Sequence, residues 1–279
     1  MKRFTLTLVI FAFILALGAG QAVAKGPDPE TDRFNISLGT YLISFDTNAQ
    51  VSSTNGLGTV IDMEEVLGLD DRRTDFRLDG YWRFSRKHRL DFGLFYDSRS
   101  GTRTLSEQII WDDATYDLGA EIDSKFSTSY LKLAYRYAFV RDDRAEVGLS
   151  AGLATIRLAA EISGEGTVDQ NGVPSALQFV KKKESVLAPV PVVGLYGSFV
   201  IVEGLFFRPA VEFFSLNTGG ISGALVDSRA TVDWFFSERW GVGLGFSRVR
   251  VEYQDEESDP RVDVNTKFGG ALLYFSYSF

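Results

Sequence analysis

Residues 75–97 read DFRLDGYWRFSRKHRLDFGLFYD, and their alternation decides the fold. Asp75, Arg77, Asp79, Tyr81 and Arg83 occupy one set of alternate positions, and Phe76, Leu78, Gly80, Trp82 and Phe84 the other. Side chains of an extended chain point to opposite faces with period two, so this segment is a strand with one charged and one apolar face. The polar turn Ser85-Arg86-Lys87-His88 leads into a second strand of the same kind. There Arg89, Asp91, Gly93, Phe95 and Asp97 oppose Leu90, Phe92, Leu94 and Tyr96. One such hairpin fits a soluble sandwich as well as a membrane barrel. Its repetition separates the two.

The pattern returns along the chain. Leu131, Leu133, Tyr135, Tyr137 and Phe139 alternate with Lys132, Ala134, Arg136 and Ala138. After the polar turn at 141–144, Val147, Leu149, Ala151 and Leu153 alternate with Glu146, Gly148, Ser150 and Gly152. Phe207, Pro209, Val211 and Phe213 oppose Arg208, Ala210 and Glu212, and Ala230, Val232, Trp234 and Phe236 oppose Arg229, Thr231 and Asp233. Short turns near 85–88, 141–144, 201–204 and 237–240 take turns with longer links near 47–71, 100–120, 161–183, 218–223 and 254–261. Tight turns on one side and longer loops on the other are the rhythm of a transmembrane antiparallel up-and-down β-barrel.

This all-β reading gives ten strands, at 33–46, 72–84, 88–99, 121–139, 145–160, 184–200, 204–217, 224–236, 240–253 and 262–279. The segments 102–111 and 115–125 are expected to extend one hairpin outward around Asp112-Asp113. Separate strands at 57–64 and 102–111 would raise the count to twelve, and eight is the lower bound. Each segment supplies the roughly 9–11 residues that a tilted strand needs to cross a bilayer. The uncharged stretch 186–202 carries Pro189, Pro191, Gly194 and Gly197, poor helix formers, and reads as a strand.

A barrel in lipid turns its apolar faces outward, with Trp82, Tyr135, Tyr137, Trp234, Phe236, Trp240 and Phe279 near strand ends as girdles. The inward faces then carry Asp75, Arg77, Asp79, Arg83, Arg89, Asp91, Asp97, Lys132, Arg136, Glu146, Arg208, Glu212, Arg229 and Asp233. Both signs are interleaved, so these groups are expected to pair across a narrow lumen and obstruct it. Arg72, Arg73, Arg99, Arg103 and Lys181, Lys182 and Lys183 fall near the outer rim, where cations can meet lipopolysaccharide phosphates.

The N-terminus reads as an export signal. Lys2 and Arg3 precede an uncharged, mostly apolar stretch at 4–20, and Ala22-Val23-Ala24 is a small-x-small cleavage pattern, placing cleavage after Ala24. Residues 25–279 then form one barrel domain. The chain has no Cys, which excludes disulfides and thiol chemistry, and its net charge of −8 argues against nucleic-acid binding.

Catalytic motifs are weak. Gly148-Leu149-Ser150-Ala151-Gly152 matches the G-x-S-x-G pattern but sits in an alternating strand, with none of the strand–turn–helix elbow that exposes a nucleophile. His88, the sole histidine, falls in a turn on the periplasmic side, away from an outer-rim site where a general base would act. Gly241, Gly243 and Gly245 read as lumen-facing glycines of a strand. The acidic loops (Asp62, Glu64, Glu65, Asp70, Asp71 and Asp255, Glu256, Glu257, Asp259) lack calcium-loop spacing and read as solvated. No catalytic residue, cofactor or metal is expected.

The last strand ends Leu273, Phe275, Tyr277, Phe279 on one face, with Phe279 terminal. This resembles the terminal strand of bacterial outer-membrane proteins, and with the export signal and hairpin rhythm the chain resembles the small outer-membrane β-barrel superfamily. Leu67-Gly68-Leu69-Asp70-Asp71 followed by Arg83-Phe84 and His88-Arg89-Leu90-Asp91 is similar to the OmpA/OmpW-like outer membrane protein beta-barrel domain. The resemblance implies a Gram-negative outer-membrane location, surroundings of lipid and lipopolysaccharide, and reading of the terminal strand by the barrel assembly machinery. It implies no activity. A structural or surface-interaction barrel is the leading expectation, with a narrow porin-like channel and a histidine-independent lipid-modifying enzyme as alternatives, and the oligomeric state is open.

Overall fold

The computed structural model describes residues 33–52, 58–168, 176–257 and 260–279, so the expected signal peptide, its cleavage after Ala24, and Asp259 lie outside the described residues. Ten long strands form the wall: β1 (Phe34–Ser52), β3 (Arg72–Ser85), β4 (His88–Thr104), β7 (Glu121–Arg141), β8 (Ala145–Val168), β9 (Gln178–Val202), β10 (Leu205–Thr218), β11 (Ile221–Phe235), β12 (Trp240–Asp255) and β13 (Arg261–Ser278). Each pairs antiparallel with the next. β13 pairs back onto β1 over its whole length, from Asn35 opposite Ser278 to Ser52 opposite Arg261. Through the lower wall that closure leaves no open edge, the condition for placing a sheet in hydrocarbon, while β9 before Val193 runs past its pairing with β10. The fold is an all-β outer-membrane-type barrel of ten strands.

Three short strands belong to the upper links: β2 (Ile61–Asp62), β5 (Ile109–Trp111) and β6 (Ala114–Tyr116). They are not wall strands, so twelve is set aside. β5 and β6 close a small hairpin around Asp112-Asp113, and β6 docks on the top of β8 through Ala114 and Val168. Asp112 adopts a left-handed φ of 59°, which the tip of so tight a turn demands. The link expected at 218–223 is instead the two-residue turn Gly219-Gly220. Both glycines have positive φ (53° and 76°), so β10 and β11 run straight into it.

The wall strands are longer than a bilayer requires. β8 and β9 have 24 and 25 residues while β10 has 14, so the wall rises higher on the β8–β9 side. Outward side chains show where lipid ends. Leu38, Phe76, Leu94, Tyr96, Leu131, Leu133, Leu153, Leu187, Phe213, Phe246 and Phe275 are exposed apolar groups. One row further up, the outward positions are Ser44, Arg72, Ser98, Ser129, Arg157, Ser215 and Arg248.

Inside, the order reverses at the same level. Below it the inward residues are charged. Above it most are apolar: Ile43, Phe45, Ala49, Val51, Phe126, Ile156, Leu158, Ile162, Val251, Val264 and Phe268 are all buried. Leu67, Met63, Ile61, Leu105, Ile109, Trp111 and Tyr116 descend from the links β1–β3 and β4–β7 to fill that space. The upper half is thus a water-type barrel, polar outside and apolar within. The expectation of charge lining the interior strand after strand is corrected: it holds for the lower half, while in the upper half charge is confined to local clusters such as Arg99 with Asp97 and Glu64. Above the membrane the outer face meets water, so only the inner face can bury apolar surface.

Candidate functional site: the lumen

The lower lumen is built from period-two positions. Lys132, inward on β7, places its Nζ 2.6 Å from Glu212 of β10 and 2.8 Å from Asp227 of β11, strands on the far side of the ring. Arg229 of β11 reaches Asp79 of β3 at 2.8 Å, and Arg77 holds the same carboxylate at 2.9 Å. Two ion-pair bridges therefore cross the barrel. Arg136 joins Glu212 (3.3 Å) to Asp91 (3.0 Å), and Arg89 continues from Asp91 (2.9 Å) to Glu146 (3.4 Å). Arg83 and Arg141 converge on Glu146 at 2.8 and 3.4 Å, and Arg208 lies 3.7 Å from Asp233.

Tyrosines complete the lattice. Tyr130 donates to Asp227 at 2.6 Å and Tyr274 to Asp233 at 2.5 Å, while Arg89 lies between the rings of Tyr81 and Tyr196. Bare glycine makes room for this: a Cβ at Gly243 would sit 2.2 Å from the Tyr274 ring, and one at Gly93 2.8 Å from an Asp79 oxygen. A cavity of about 100 Å³ remains among these side chains, bordered by Asn35, Lys132, Arg136, Arg208 and Asp227. Buried pairs of this kind fix conformation more surely than they add stability.

Asp75, Asp97 and Arg73 stand higher, in a second cluster under the upper core. Arg99 lies at its centre with no solvent exposure, against Asp97 (3.3 Å), Glu64 and the Thr47 hydroxyl (3.3 Å). Its expected place at the outer rim is therefore corrected. Arg99 continues the inward set of Phe95 and Asp97, and so cannot meet a lipid phosphate. Glu64, read as a solvated loop residue, is its buried partner. Among the other cations assigned to the rim, Arg72 and Arg103 are exposed and Arg73 pairs with Asp70 and Asp97. Lys183 is exposed, Lys181 pairs with Glu161, and Lys182 pairs with Asp112 and Asp113. Lys181 and Lys183 stand well above Leu187 on β9, whereas Arg72, Arg157 and Arg248 occupy the first polar row over the apolar band.

Leu273, Phe275, Tyr277 and Phe279 share the outward face of β13, with Tyr277 4.6 Å from the Trp240 ring. Trp82, Tyr135, Tyr137, Trp240 and Phe279 form an exposed aromatic ring at the lower end, where His88 Nδ1 is 2.5 Å from the Tyr135 hydroxyl. Ser150 is buried on an inward position of β8, without the exposed elbow of a nucleophile.

The sequence placed Tyr81 on the charged face but did not mark Asp227, Arg141, Tyr130, Tyr196 or Tyr274. Asp227 was within reach: the Arg229, Thr231, Asp233 alternation carries to it by one further step. Tyr196 and Tyr274 lie in neutral stretches, and only the closed ring brings them to the charges.

Closed, antiparallel, apolar outside over one band and charged within it, the chain has the architecture of the small outer-membrane β-barrels. No family model and no curated protein sequence matches it. Among solved structures, the outer membrane protease OmpT from Escherichia coli superposes with a TM-score of 0.61 at 12% identity, covering 93% of this chain and 99% of that one. The attachment invasion locus protein Ail of Yersinia pestis (TM-score 0.32, 11% identity, 89% and 99% covered) and the Pseudomonas putida toluene transporter TodX (0.38, 8%, 92% and 94%) also match. At 12% identity the likeness to OmpT is one of fold, and the OmpA/OmpW-like label finds no match.

Proposed function

We propose that this chain is an exported, integral outer-membrane barrel with a closed lumen, serving a structural or surface-interaction role and no catalytic one. The observation that carries this reading is the double obstruction of the interior. The bridges from Lys132 to Glu212 and Asp227 and from Arg229 to Asp79 cross the lower half. Packed Trp111, Tyr116, Ile109 and Leu67 fill the upper half. A solute would have to break charge pairs and then cross an apolar core. The lack of catalysis is supported by the burial of Ser150 and by a single histidine placed at the lower girdle.

The signal peptide, cleavage after Ala24, and reading of the terminal β13 strand by the assembly machinery belong to the same proposal. So does contact with lipopolysaccharide phosphates, for which Arg72, Arg157 and Arg248 are the best-placed cations. Planar-bilayer recording of refolded protein tests the closed lumen. The expected result is an absence of stable unitary conductance; steady single-channel steps would instead establish the narrow-channel alternative. Lipid A mass profiles that change with the gene's presence would overturn the non-enzymatic reading.

A further inference from the structure

The lower mouth of the barrel gathers arginines around one small cavity. Beside the turn 142–144, a cavity of about 50 Å³ is lined by Arg83, Arg89, Arg141, Arg144 and Arg208. The acids on the same lining are Asp142, Asp143 and Glu146. Arg89 is also held by Asp91 at 2.9 Å and Arg208 lies 3.7 Å from Asp233, both off the lining, so Arg83, Arg141 and Arg144 are the guanidinium groups that turn to these three acids. One of those three is already engaged by the backbone, since Asp142 Oδ1 accepts the Arg144 and Ala145 amides at 2.8 Å each. Glu146 alone is shared by three arginines: Arg83 at 2.8 Å, and Arg89 and Arg141 at 3.4 Å.

A carboxylate offers about four lone-pair sites, while three guanidinium groups present many more donors. Arg83 and Arg89 are both 7% exposed, and the Arg83 Nε is buried with no hydrogen-bond partner. Two buried guanidinium groups on one buried carboxylate, Arg83 and Arg141 on Glu146, and an unmet donor are costly unless an anion meets them. The space suits one: a cavity of that size holds on the order of three or four waters, comparable to a single tetrahedral oxyanion. Guanidinium forks match the paired oxygens of phosphate-type groups, and a tetrahedral dianion can accept from several forks at once.

We propose that this mouth is a binding site for a phosphate-type oxyanion, entered from the periplasmic side and held by Arg83, Arg141 and Arg144, for whose donors Glu146 competes. It is separate from the closed-lumen reading, because the anion enters beneath the transverse bridges and does not pass them. The test is equilibrium dialysis of the folded full barrel, in zwitterionic detergent, against radiolabelled inorganic phosphate at constant ionic strength. Saturable binding of one phosphate per chain is expected, displaced by sulfate and little affected by equal acetate. Arg83→Gln should weaken it by about tenfold or more, the worth of one charge-assisted contact. Arg144→Gln, in an exposed turn and so safe for folding, should weaken it in the same direction. Glu146→Gln should bind more tightly, since it removes the competing carboxylate. Absence of saturable binding in folded protein would overturn the proposal. So would binding indifferent to Arg83→Gln and Arg144→Gln, or acetate competing as well as sulfate.

Discussion

Gly243 faces the lumen from β12, and a Cβ placed there would lie 2.2 Å from the Tyr274 ring. That ring carries the hydroxyl that donates to Asp233 at 2.5 Å. Gly243→Val is therefore expected to push Tyr274 off its carboxylate and cost about 1–3 kcal/mol, the usual penalty for overpacking. Urea unfolding followed by gel mobility would read the loss, and an unchanged midpoint would refute it. Asp227→Asn has a larger expected effect. Asp227 receives both Lys132 and the Tyr130 hydroxyl, so neutralising it leaves a buried ammonium with one partner fewer. Breaking one side of a buried pair costs about 3–5 kcal/mol, and an unfolding midpoint in urea equal to that of the unaltered protein would refute it.

The β5–β6 hairpin shows how an element is held down. Lys182 of β9 reaches Asp112 at 3.3 Å and also contacts Asp113, tying the hairpin tip to the tall side of the wall. Burial works against the Lys182 ammonium, but its hydrogen bond and charge contacts with Asp113 and Asp112 outweigh that and raise its pKa above the ordinary lysine value. A raised pKa in the folded state means the contribution is fully present below the unfolded value, near 10.5, and fades as pH climbs through the folded one. Tip docking should thus be insensitive to neutral pH and loosen only in strong alkali. Lys182→Gln should loosen it at pH 7, exposing the 105–120 link to limited proteolysis while the wall stays intact. Equal protease resistance in the variant would show that apolar packing of Trp111 and Tyr116 suffices to hold the hairpin.

For the whole molecule, the polarity reversal divides the barrel into a part dissolved in lipid and a part dissolved in water. The folded protein should need detergent to stay in solution and should migrate differently on gels before and after boiling. Protein that was soluble without detergent, with unchanged mobility, would remove the membrane assignment. The division also places the weight of stability. The lower half rests on closed hydrogen bonding, and the upper half on burial of Phe45, Phe126, Phe268 and their neighbours, which follows buried apolar area. Loosening the upper core should leave the lower barrel folded in detergent.

The amino-acid sequence by itself determined the strand type and a count of ten with eight and twelve open, because period-two alternation is local; closure of the wall settled ten, and the turn at Gly219-Gly220 showed itself only in the structure. It also marked most of the lower lumen, since Lys132, Glu212 and Arg229 are charges at inward positions of apolar-faced strands. Tertiary structure alone decided which charges meet, because Lys132 and Asp227 are distant in sequence and adjacent only once β13 has closed on β1. It alone decided that Arg99 points inward above the bilayer, and that links read as solvent-facing carry Met63, Leu67 and Trp111 into the barrel. Alternation states that two faces differ; which face meets lipid, water or protein at a given height depends on the level of the membrane and on the closed wall.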